Sequence, residues 1–157
     1  MRRTFGKVIV ELAERDSKVL LIIGDIGFGI FDDFRHKFPD RFFNLGLCEQ
    51  SIIGIAAGLA LSGFKPYVYS ITPFILERPF EQIKLDVDQQ NTNVKIVGYG
   101  DYPTQGPTHQ TLNDKKLSEL FVNIVSYFPK NGYETREALI ESYKSCKPTF
   151  ISLMKDA

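Results

Sequence analysis

Two hydrophobic periods take turns along this chain. Residues 4–15 place Phe5, Val8, Ile9 and Leu12 on one helical face. Val19–Ile23 is an unbroken apolar run of the kind found inside a parallel sheet. A short helix is predicted from Ile30 to Phe38, ended by Pro39, and a strand over Arg41–Asn44. A charge-poor helix follows from Glu49 to Leu61, closed by Gly63, and then a strand over Lys65–Ile71. The spacing of Phe80, Ile83 and Val87 predicts one long amphipathic helix over Phe74–Gln90, with a strand over Asn93–Gly98 after it. Tyr99–Asn113 has no apolar period and reads as a loop. A helical turn at Lys115–Leu120, a strand at Asn123–Tyr127, a helix at Glu134–Lys147 and a strand at Pro148–Met154 complete the chain. Strands alternating with helices predict an α/β fold: three α/β/α layers around a mostly parallel sheet of about six strands, with 1–157 forming a single domain.

The helix after Glu49 breaks the amphipathic rule. Gly54, Ala56, Ala57, Gly58 and Ala60 stand among Ile52, Ile53, Ile55, Leu59 and Leu61. Such a helix is expected to be buried on all sides, with its small residues admitting another backbone. Glu49 then sits at the mouth of a buried element, where a carboxylate is costly. An acid in a first turn can simply complement the helix dipole, but these neighbours favour a functional carboxyl.

Ligands in parallel α/β sheets bind beyond the carboxyl ends of the strands. The turn Gly24–Gly29, Glu49, the segment Ser70–Phe74 and the loop Tyr99–Gln110 all follow strands and should share that rim. His109 is placed there as a donor or acid/base group, and Phe74 as core or as a flat face for a ring. Asp25 can cap its turn. The glycines read G-x-x-G-x-G, which is not the dinucleotide fingerprint. His36, between Arg35 and Lys37, reads as solvated, and Arg78 and Glu81 as surface or interface charges.

Nineteen basic and nineteen acidic side chains cancel, with no long run of either sign. No nucleic-acid or membrane partner is therefore expected. Cys48 and Cys146 lack disulfide-framework or metal spacing and read as reduced thiols. With no signal-like or membrane-length apolar run, a cytoplasmic location is expected. No metal-ligand set is apparent.

Several runs together resemble the pyrimidine-binding domain of the transketolase family of thiamine-diphosphate enzymes. They are Phe38-Pro-Asp-Arg-Phe-Phe-Asn-Leu-Gly-Leu-Cys-Glu-Gln50, Gly54-Ile-Ala-Ala-Gly-Leu-Ala-Leu-Ser-Gly-Phe-Lys-Pro66, Phe74-Ile-Leu-Glu-Arg-Pro-Phe-Glu-Gln-Ile83 and Gly106-Pro-Thr-His-Gln110. They occur in the family's order and cover nearly the whole chain; deoxyxylulose-phosphate synthases and the beta subunits of 2-oxoacid dehydrogenases share much of the pattern. The resemblance implies that Glu49 hydrogen-bonds N1′ of the cofactor's aminopyrimidine and activates it. It further implies that Phe74 stacks on that ring beside Ile71, that His109 reaches the ring's amino group or the bound donor, and that Asp25 approaches the cofactor.

One departure concerns substrate. Thr104-Gln105 stands where sugar-phosphate enzymes often have Glu-Asp, which leaves the donor open. A single domain grips only half of the cofactor, so a separate diphosphate-binding subunit is expected to bring the Mg²⁺ ligands and form an α2β2 heterotetramer. Ketol transfer between sugar-like substrates is the activity implied. A 2-oxoacid decarboxylating beta subunit is the alternative, and a non-catalytic subunit that kept the fold is a third.

Overall fold

Every expected strand forms. A computed structural model describes residues 1–100, 102 and 105–154. The strands are β1 Val19–Ile23, β2 Phe42–Asn44, β3 Lys65–Ile71, β4 Lys95–Tyr99, β5 Val125–Tyr127 and β6 Thr149–Leu153. All pair in parallel, in the order β2-β1-β3-β4-β6-β5. The helices are α1 Arg2–Arg15, α2 Asp32–Lys37, α3 Glu49–Leu61, α4 Thr72–Leu76, α5 Phe80–Gln82, α6 Asp114–Ser118 and α7 Gly132–Ser145.

Because neighbouring strand residues point to opposite faces, the apolar runs supply two cores. Leu21, Ile23, Tyr67, Tyr69, Val97 and Ile151 pack on one side with Phe5, Ile9, Phe34 and Leu139 of α1, α2 and α7. Ile22, Val68, Ile96 and Phe150 pack on the other with Ile52, Ile53, Ala56, Ile75, Ile83 and Val87. The result is the expected three-layer α/β/α architecture.

The strand order locates the functional rim more narrowly than the sequence could. From β1 the chain moves outward to the edge strand β2, then returns over α3 to β3 on the other side of β1. Loops at the carboxyl ends of β1 and β3 therefore part in opposite directions, and such a switch point leaves a crevice.

Three local expectations change. The helix expected at Ile30–Phe38 covers only Asp32–Lys37, since Gly27 and Gly29 hold the preceding loop at φ 96° and 71°. The single helix expected over Phe74–Gln90 is broken. α4 ends at Leu76, and α5 starts after Pro79, a residue without an N–H to continue the ladder. It passes into a π-helical run, Ile83–Asp88, in which Gln89 N–H donates to Lys84 O. Ile83 and Val87 still face inward, so the period was right while the continuity was not.

The third change concerns α3, which is not buried all round. Ile52, Ile53, Ala56 and Ala57 are covered, but Ile55 is 46% and Leu61 66% exposed. Gly54 and Gly58 lie on that open side, and a Cβ at Gly58 would meet nothing within 4 Å. No element of the described chain covers this face.

Candidate functional site

The turns that follow β1 and β2 are fastened by one side chain. At the end of β1, Asp25 adopts φ 52°, a left-handed conformation that Asp tolerates better than most residues. Asn44, the last residue of β2, accepts the Asp25 N–H at 3.0 Å and the Gly46 N–H at 3.1 Å through the same Oδ1. Its Nδ2 donates to Asp25 Oδ1 at 3.1 Å. Gly46, at φ 77°, then turns the chain so that α3 begins at Glu49.

Glu49 is 3% exposed, on the covered side of α3 with Ile52, Ile53 and Ala56. Its counter-charge is Arg78, whose Nη1 lies 3.3 Å from Oε2 and 3.5 Å from Oε1. The same guanidinium lies over the Phe74 ring, with Cζ 3.5 Å from the centroid. On another side of that ring stands His109, with centroids 4.7 Å apart and planes at 64°. Glu49, Arg78, Phe74 and His109 thus form one continuous contact chain.

Short elements hold these groups. Pro73 in the first turn of α4 fixes the start of the helix that carries Phe74, and Ile71 is its N-cap residue, half-buried at the end of β3. Gly98 lets α4 approach β4; a Cβ there would lie 2.7 Å from Thr72 Oγ1. His109 ends a 3-10 turn, Pro107–His109, with Thr108 Oγ1 3.1 Å from its Nδ1. Glu77 accepts the Leu112 N–H at 3.0 Å and so ties the histidine loop to the region of α4.

Of the residues proposed from sequence, Glu49, Phe74 and His109 are gathered through Arg78. Ile71 adjoins them along β3, and Asp25 is tied instead to Asn44 at the end of the neighbouring β2. Thr104 lies outside the described residues. Sequence reading missed Arg78, although its position four residues after Phe74 suits a contact above the ring. It also missed a cleft of about 370 Å³ beside the β1 turn, lined by Arg2, Arg3, Lys7, Phe28, Gly29 and Asp33. Arg2 Cζ lies 4.6 Å from the ring centroid of Tyr99 at the end of β4, so this basic wall belongs to the carboxyl rim too.

The set has a definite chemical sense. It offers a buried carboxylate to accept N–H bonds, a flat aromatic face beside it, and an imidazole at the ring's flank. Arg78 demonstrates the match from within the chain, since a planar N–H-bearing cation already satisfies carboxylate and ring together. A nitrogen heterocycle carrying N–H groups presents the same features. Among the described residues, no cluster of three His, Cys, Asp or Glu could hold a metal ion, and no helix is long and apolar enough to cross a membrane.

Fold and site together define a doubly wound α/β domain with a buried carboxylate, an aromatic ring and an imidazole gathered at the carboxyl rim of its sheet. A sequence model described as "Transketolase, pyrimidine binding domain" matches residues 1–157. The chain belongs to that family. It is 37% identical to the B subunit of the apulose-4-phosphate transketolase of Actinobacillus succinogenes over 123 residues, covering 76% of this chain and 40% of that one. It is 38% identical to the 1-deoxy-D-xylulose-5-phosphate synthase of Aquifex aeolicus over 148 residues, covering 92% and 23%. The chain thus spans less than half the length of these curated relatives. Among solved structures it is similar to a split-gene transketolase described as an inactive beta4 tetramer, with TM-score 0.90, 30% identity, and coverage of 99% of this chain and 51% of that one. The Campylobacter jejuni transketolase, at 18% identity and TM-score 0.87, shares the fold.

Proposed function

We propose that this chain is the pyrimidine-binding part of a thiamine-diphosphate-dependent, transketolase-like transferase that works with a separate diphosphate-binding subunit. The observation that carries the reading is the buried Glu49 carboxylate set beside the Phe74 ring at the switch point, in a chain that matches the pyrimidine-binding family over its whole length. Glu49 would accept a hydrogen bond from the aminopyrimidine and hold or share a proton there. Phe74 would supply the stacking face, with Ile71 below it and His109 positioned to donate or accept a proton at the ring's edge. Asp25, fixed by Asn44, would face the cofactor from the β1 turn. When bound, thiamine diphosphate supplies the nucleophilic carbon that carries a two-carbon ketol unit.

The partner part of the proposal has its own support. The exposed face of α3, with Ile55, Leu61, Gly54 and Gly58, offers small and apolar surface suited to an interface. The similar split-gene transketolase is inactive as a beta4 tetramer, which fits a subunit that needs a different chain to work. That chain would bring the Mg²⁺ ligands and complete an α2β2 assembly. A sugar phosphate rather than a plain 2-oxoacid is supported by the relatives named for apulose 4-phosphate and 1-deoxy-D-xylulose 5-phosphate.

The test is turnover by the complex purified from its native source, with thiamine diphosphate and Mg²⁺. Ketol transfer from ketose phosphates is expected, dependent on both additions. Decarboxylation of 2-oxoacids without ketol transfer would replace the substrate assignment, and a complex that binds no thiamine diphosphate would end the cofactor assignment.

A further inference from the structure

We infer that Arg78 is a built-in stand-in for the aminopyrimidine: its guanidinium holds the ring's seat and must swing out before the cofactor can enter. The inference rests on the cofactor reading above and concerns how that same site is gated.

Geometry makes the seat exclusive. A group whose central carbon lies 3.5 Å from the Phe74 centroid already occupies stacking distance. Its Nη1 stands before both carboxylate oxygens of Glu49. A ring that stacks on this face of Phe74 and bonds Glu49 would need the volume that the guanidinium fills. His109 packs against the same ring, edge to face at 4.7 Å between centroids. Glu49 and Phe74 are 3% and 6% exposed, while the Arg78 side chain that lies across both is 42% exposed. Arg78 is therefore the cover over the pair.

The substitution is chemically apt. Guanidinium is planar, delocalised and rich in N–H donors, and it prevents the fold from burying a bare carboxylate, which would be strongly unfavourable. The hold is nonetheless loose. Charge-assisted N–H···O contacts usually close to about 2.7–2.9 Å, and these stand at 3.3 and 3.5 Å. Arg78 also lies in the break between α4 and α5, immediately before Pro79, and its long stem faces solvent. It can leave without disturbing either core. A seat that must first be vacated weakens apparent affinity by the fraction of time it is free.

The experiment measures binding of thiamine diphosphate with Mg²⁺ to the purified complex, by calorimetry and by association rate, for wild type, Arg78→Met, Arg78→Lys, Glu49→Gln and Phe74→Ala. Arg78→Met keeps length and loses the charge; it is expected to bind on the order of fivefold tighter and to associate faster. Arg78→Lys keeps the charge but cannot lie flat on the ring, and should fall between wild type and Arg78→Met; it serves alone should the methionine variant fail to assemble. In wild type, the Arg78 Nε–Hε resonance should shift and exchange faster with water once the cofactor is added. Equal or weaker binding by the Arg78 variants, with Glu49→Gln and Phe74→Ala both impaired, would overturn the stand-in while leaving the cofactor seat in place. Unchanged binding in Glu49→Gln and Phe74→Ala would show that the seat itself is wrongly assigned, and the stand-in falls with it.

Discussion

Two carboxylates are buried among the described residues, and they are satisfied in opposite ways. Asp88, 5% exposed at the end of the π-helical run, accepts the backbone N–H groups of Val122, Asn123 and Ile124 at 3.2, 2.7 and 3.2 Å. Its own carbonyl accepts Asn123 Nδ2. Those donors are main chain, so the pairing is as permanent as the fold. Glu49 is just as buried, yet among the described residues its charge is met by one half-exposed, loosely placed guanidinium. A buried acid tied to backbone is a clamp joining two segments; one met by a movable side chain is open to exchange of partners. That difference supports the proposal that Glu49 is the reactive carboxyl.

The two residues should therefore fail differently. Glu49→Gln keeps the shape and removes the charge. Turnover of the assembled enzyme is expected to fall at least about a hundredfold, the scale of losing a key electrostatic or proton-handling group, with little change in melting temperature. Asp88→Ala strands three backbone donors. It should cost about 3 kcal/mol, seen as a melting point lower by roughly 10 °C, while turnover well below that temperature stays near wild type. Should Glu49→Gln lower the melting point as Asp88→Ala does and leave turnover intact, the distinction between clamp and reactive acid fails.

Lys95 extends the contrast to the opposite end of the sheet. It opens β4, is fully buried, and donates to Lys147 O and Thr149 Oγ1, with no acid partner among the described residues. Burial pushes its pKa down to about 7 from 10.5. The folded protein then releases this proton as pH rises through about 7, whereas the unfolded chain keeps it until near 10.5. Between those values the unfolded state binds more protons, so stability should rise with pH by about 1.4 kcal/mol per unit. Urea titrations at pH 7, 8 and 9 should show the slope in wild type, and Lys95→Met should flatten it and be the more stable protein at pH 7. A slope that persists in Lys95→Met would assign it to another group. Tyr67 and Tyr69, raised by burial, act in the reverse sense only above about pH 10.

The contrast also explains what could be read in advance. Glu49 stood out because it heads a helix that otherwise carries no charge. Asp88 and Lys95 did not, because their partners are backbone groups that every residue possesses. Arg78 was lost among the other charges of an amphipathic stretch, and only the Glu49–Phe74 geometry singles it out. The strands were readable as apolar runs, but nothing in Val19–Ile23 or Lys65–Ile71 encodes which run lies beside which, so the switch point emerged only from the sheet. Pro79 was visible and was overridden by the regular spacing of Phe80, Ile83 and Val87, which a broken helix and a π-helical run preserve equally well. The outer face of α3 looked like interior because composition cannot say which neighbour, within the chain or outside it, does the covering.

The smallest expected effect tests how the rim is held around Glu49. Asn44 serves three hydrogen bonds between the β1 and β2 turns, but it is exposed and water can replace much of what it gives. Asn44→Ala should therefore cost only about 1 kcal/mol, a drop of roughly 3 °C in melting temperature. Its functional mark should be clearer. Asp25 sits at φ 52°, and Gly46 leads directly into Glu49, so freeing both turns loosens the β1–β2 side of the crevice. Affinity of the complex for thiamine diphosphate should weaken several-fold while the maximal rate holds, because the bond-making groups are untouched and only their placement is lost. If affinity is unchanged, the turns are set by Gly46 and the sheet alone, and the asparagine merely occupies a space that any small polar residue could fill.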